Sequence, residues 1–90
     1  MKTWVKIEKT DKDRQDIVNL QTAYSLLKYH KNDKKVLLIE LQNDRAVLQY
    51  MKGYKEPYRV FSDAMDRRNS KIGQFKTITT AKKAFEKILK

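Results

Sequence analysis

The chain contains no cysteine, only two glycines and a single proline in its 90 residues. Without cysteine there are no disulfides, iron–sulfur clusters, thiolate zinc sites or thiol nucleophiles. A small domain in an oxidising compartment usually leans on such cross-links, so a cytoplasmic setting is expected. The scarcity of Gly and Pro, beside 40% hydrophobic residues, argues against disorder or low complexity and for a packed core. Long apolar runs are also missing. The longest, residues 36–39 (VLLI), falls far short of the ~20 residues needed to cross a bilayer, so no membrane partner is expected. Residues 1–9 lack the apolar segment and cleavage site of a signal peptide.

Chemistry-bearing motifs are equally sparse. There is one histidine, His30, and its place among lysines at the expected end of a helix is explained by the helix dipole. No glycine-rich phosphate loop, metal-ligand spacing or paired carboxylates within an apolar run occur. The expectation is no cofactor, no metal and no catalytic residue, hence no enzyme.

What is abundant is positive charge. The formal net charge is +10, with residues 1–33 at +2, residues 34–50 at +1 and residues 51–90 at +7. A field of one sign attracts polyanions and speeds their association. The bland alternative is that lysine simply keeps the protein soluble.

Ninety residues make one small domain, 1–90. Residues 4–8 (WVKIE) read as a strand, broken by Asp11, Lys12 and Asp13. From Asp13 onward Ile17, Leu20, Tyr24 and Leu27 recur at helical spacing. Asp13 suits the N-cap, Asp16 the first turn, and Lys28, His30 and Lys31 the last turn. A strand over residues 15–20 with a shorter helix from Thr22 is the alternative; the single helix is preferred. Strands are then expected over residues 35–42, 45–52, 58–65 and 72–78. They are separated by a turn at Asn43 and Asp44, a loop over 53–57 and a turn over 66–70, with Gly73 a bulge candidate. Residues 80–89 form a closing helix, with Ala81, Ala84, Phe85, Ile88 and Leu89 opposed by Lys82, Lys83, Glu86, Lys87 and Lys90. The fold class is α+β: an antiparallel meander of four to five strands, order β-α-β-β-β-β-α, with two helices packed on one face.

Three places favour a polyanion. Two adjacent arginines, Arg67 and Arg68, sit at a turn beside Lys71, with Arg59 and Lys76 on flanking strands, and guanidinium forks match phosphate. Lys52, Tyr54, Lys55, Tyr58 and Arg59 interleave cations with aromatic rings, as single-strand binders do, although strand tyrosines also serve as packing residues. The start of the last helix offers Lys82 and Lys83 beside threonines, where carboxylates are the norm; a bound anion would relieve that mismatch.

Two resemblances, one local and one compositional, point the same way. Residues 73–78 (GQFKTI), Thr80 and the Ala84-Phe85-Glu86-Lys87 helix resemble the closing strand and helix of WGR domains, a nucleic-acid-binding family, although the Trp-Gly-Arg signature itself is absent. In size, charge and α+β pattern the chain also resembles ribosome-dependent ribonuclease toxins. The expected function is a basic nucleic-acid-binding accessory protein contacting the phosphates of DNA or RNA. The alternatives are an inhibitor or adaptor docking on an acidic protein surface, as in anti-restriction or anti-CRISPR proteins of phage or plasmid origin, and the ribonuclease toxin. Either a monomer or a homodimer joined at an edge strand is compatible with this pattern.

Overall fold

The computed structural model describes residues 2–89. Its strands are β1 (Lys2–Glu8), β2 (Arg14–Asn19), β3 (Leu38–Gln42), β4 (Val47–Met51), β5 (Tyr58–Phe61) and β6 (Lys71–Phe75). They form one sheet in the order β2-β1-β3-β4-β5-β6, antiparallel at every pairing. Helix α1 (Leu20–His30) links β2 to β3, the single turn α2 (Arg67–Ser70) leads into β6, and α3 (Ile78–Leu89) follows β6. The α+β class and the meander from β3 to β6 match the sequence reading, with six strands in place of four to five. No helix among the described residues is long and apolar enough to cross a membrane. Lys90, assigned above to the polar side of the last helix, lies outside the described residues.

The expected helix from Asp13 is corrected. Residues 14–19 pair with β1 from Lys2↔Asn19 to Ile7↔Arg14, so the split reading describes this segment. The helical spacing of Ile17 with Leu20 is a coincidence: Ile17 is 68% exposed and stands opposite Trp4. Asp13 acts locally in another way, its carboxylate accepting the Lys9 N–H (2.9 Å) across the β1–β2 loop, where Lys9 adopts φ +63°. The true N-cap is Asn19, whose side-chain oxygen accepts the Thr22 N–H at 2.8 Å. An amide cap fills the same role as an aspartate here.

Register decides which face holds the core. Val5, Leu41, Leu48, Val60 and Gly73 form one cross-sheet row, and Ile7, Ile39, Tyr50, Tyr58 and Phe75 the next. Ala23 and Leu27 of α1 and Ala81 and Phe85 of α3 join these rows in one cluster. Alternation puts both rows on one face, so the two long helices lie side by side on it, as expected. The opposite face carries the polar row Lys6, Glu40, Gln49, Arg59 and Gln74.

The turns follow from their side chains. Asn43 Oδ1 accepts the N–H groups of Arg45 (2.8 Å) and Ala46 (2.9 Å), closing the β3–β4 turn where the sequence placed it. Gly53 takes φ +94° in the β4–β5 loop, a conformation glycine adopts without a Cβ clash. The strand expected over residues 58–65 ends at Phe61, because Asp63 turns the chain by accepting the Met65 N–H (2.8 Å). Val60 pairs with Gly73 and Phe61 with Lys71, a register shift that leaves Ile72 as the extra residue beside Gly73. The closing helix starts earlier than expected, at Ile78. Thr77 is the reason: its hydroxyl accepts the Thr80 N–H (3.4 Å) and meets the Thr80 hydroxyl at 2.9 Å.

Candidate anion-binding cleft

Because α1 lies against β1, β2 and β3 while α3 lies against β4, β5 and β6, a furrow runs between them above the sheet. It forms a cleft of about 530 Å³. Its deepest lining side chains are Leu27 and Tyr58, which are buried, with the half-buried Ile78 beside them. Four lysines line it, Lys28 and Lys31 from α1 and Lys82 and Lys83 from α3, and Glu86 is the one carboxylate among its described lining residues. Helical spacing explains the convergence. Lys28 and Lys31 flank the buried Leu27 on the side facing α3, and Lys82 and Lys83 follow the buried Ala81 on the side facing α1.

One contact set bridges the furrow. The Tyr24 hydroxyl donates to Glu86 Oε1 at 3.3 Å, and the Lys82 ammonium sits 4.4 Å from the centre of the Tyr24 ring. Burial, then the charge of Glu86 and the hydrogen bond to it, pushes the Tyr24 hydroxyl well above the ordinary tyrosine range. Tyr24 therefore remains a neutral donor at any physiological pH. The side-chain ammonium groups of Lys28, Lys31 and Lys83 make no hydrogen bond or ion pair with a described residue. Clefts with low-dielectric walls concentrate the field of such charges.

The residues named from the sequence do not gather into one patch. Lys82 and Lys83 line the cleft, and Tyr58 lies at its floor with 4% of its surface exposed, its hydroxyl held above the ordinary range by burial. Arg59 is on the opposite face, its guanidinium 5.6 Å from the centre of the exposed Tyr54 ring. Arg67 is also on that face, held in the fork of Glu40 through both guanidinium ends, with Nη2 3.2 Å from Oε2. Arg68 and Lys76 are exposed. Lys71 bonds Gln74 (3.0 Å) and Lys52 bonds the Asp33 carbonyl (2.7 Å), while Lys55 is exposed in the loop. The anion site foreseen at the start of the last helix is altered too: Thr80 turns its hydroxyl toward Thr77, and the lysines face the furrow.

Lys28, Lys31 and Tyr24 were missed as site residues, because helix-end lysines are explained well enough by the dipole. Their convergence with Lys82 depends on which sheet positions the two helices occupy. Compared with known protein families, curated proteins and solved structures, the chain has no significant match.

Proposed function

We propose that this protein is a nucleic-acid-binding module that holds phosphate groups in the cleft between α1 and α3. The observation that carries the reading is the meeting of Lys28 and Lys31 with Lys82 and Lys83 across one concavity, against a single described carboxylate. Lysines so remote in sequence, converging on one hollow, raise the local concentration of a polyanion more than the same charges scattered over a convex surface. The overall charge of +10 supports the reading from a distance.

The test is a binding titration against DNA and RNA over a range of salt. Affinity should fall by about 0.7–0.9 log units per log unit of salt for each phosphate neutralised, giving a slope of roughly 3 for four lysines. The double substitution Lys82→Glu, Lys83→Glu should weaken binding by about a hundredfold or more and flatten the slope. Salt-insensitive binding, or binding that survives the double reversal, sinks the proposal. A nuclease-resistant complex with one acidic protein would replace it.

A further inference from the structure

The cleft is amphipathic, and that narrows the form of nucleic acid it suits. Its cations stand on the helix flanks, while Leu27, Tyr58 and Ile78 make its deepest lining apolar. Gln21 and Glu86 also line it and carry hydrogen-bonding groups. A volume of about 530 Å³ lies in the range of hollows that enclose small organic ligands. A duplex is a rigid convex cylinder with its phosphates outside and its bases stacked within. It can satisfy the flanking lysines and must leave the apolar floor unfilled, unless it unpairs and unstacks a base, which is unfavourable. A single strand presents an anionic phosphate and an unstacked apolar base together.

Building on the phosphate-binding reading, we infer that the cleft accepts one unstacked nucleotide, so the protein prefers single-stranded to double-stranded nucleic acid. The base enters toward Leu27, Tyr58 and Ile78, its phosphates remain with Lys28, Lys31, Lys82 and Lys83, and Glu86, held by Tyr24, faces base-edge donors.

The experiment measures fluorescence anisotropy of a labelled single strand and of a duplex with the same number of phosphates, at one salt concentration. The proteins are the unaltered chain and two cleft-filling variants, Ser25→Trp and Thr79→Trp. Both positions are exposed and line the cleft, and neither removes a lysine. The single strand should bind about tenfold tighter than the duplex. Each filled variant should lose about tenfold for the single strand, the loss expected when one base is denied its contact, and stay within twofold for the duplex. Thermal unfolding of both variants separates a filled cleft from a misfolded chain. Equal affinity for the two forms, or an equal loss on both in the filled variants, overturns the inference while leaving phosphate binding intact. Failure of the phosphate-binding reading has a different signature: Lys82→Glu, Lys83→Glu leaves both affinities unchanged.

Discussion

The two faces of the sheet handle charge in opposite ways. On the face away from the long helices, Glu40 is 5% exposed and is bonded by Arg67 at both oxygens and by Gln49 Nε2 (2.8 Å). Arg67 then lies 6.0 Å from the Phe61 ring centre, pinning the β5–β6 connection across the sheet. In the cleft on the other face, four lysines meet one described carboxylate that is bonded to a tyrosine. The Glu40–Arg67 pair on the first face is matched and structural, whereas the lysines of the cleft are in excess of their carboxylate. Net charge summed along a chain therefore says little about where a ligand goes; the local balance after internal pairing says more.

The sharpest way to break this contrast is Glu40→Ala. It strands Arg67 and Gln49 and should lower stability by about 3 kcal/mol, since Arg67 remains one-third exposed. For a domain of this size that is a fall in Tm of more than about 10 °C, readable by circular dichroism. Lys28→Ala or Lys83→Ala should change stability by less than about 0.5 kcal/mol. A Glu40→Ala variant as stable as the parent would show that the two faces do not differ in this way.

A smaller effect comes with acid. Burial pushes the Glu40 carboxyl up, but hydrogen bonds from Arg67 and Gln49, then the charges of Arg67 and Lys6, outweigh it and hold it below the usual carboxylate range. The folded value being depressed, its contribution is fully present above the unfolded carboxylate value of about 4.3. It is lost as pH falls through the folded value. Stability measured by urea unfolding between pH 7 and pH 3 should therefore drop at the acid end, and Glu40→Gln should flatten that drop. The smallest expected change concerns the arginines outside the cleft. Arg68→Ala and Arg59→Ala should each weaken nucleic-acid binding by less than about threefold, with Arg59→Ala also losing about 0.5 kcal/mol from its contact with Tyr54. A larger loss at Arg68 would move the interface off the cleft.

Where the sequence was readable, one local pattern had one structural meaning. The alternation in residues 45–52 and the stripe Ala81, Phe85 and Ile88 led directly to β4 and α3. The segment from Asp13 failed because Ile17 fits two periods at once, and only pairing with β1 resolves them. The cleft was half legible. Lys82 and Lys83 stood out as misplaced on a helix start, but their partners on α1 looked ordinary. What joins them is the return of α1 to the same sheet face, a long-range fact that no window of sequence contains. Arg67 was misleading in the other direction. Its turn setting suggested a free phosphate ligand, and its actual partner lies 27 positions away in the chain.

Gly73 and Phe75 have a consequence for descent. A Cβ at position 73 would stand 2.7 Å from Phe75 Cζ, so the ring occupies the space a side chain would need. The two positions are thus one character in two letters. In related chains a larger residue at the first should arrive together with a smaller or displaced one at the second, which makes Gly-x-Phe before a threonine-capped helix a better mark of kinship than any of the charges.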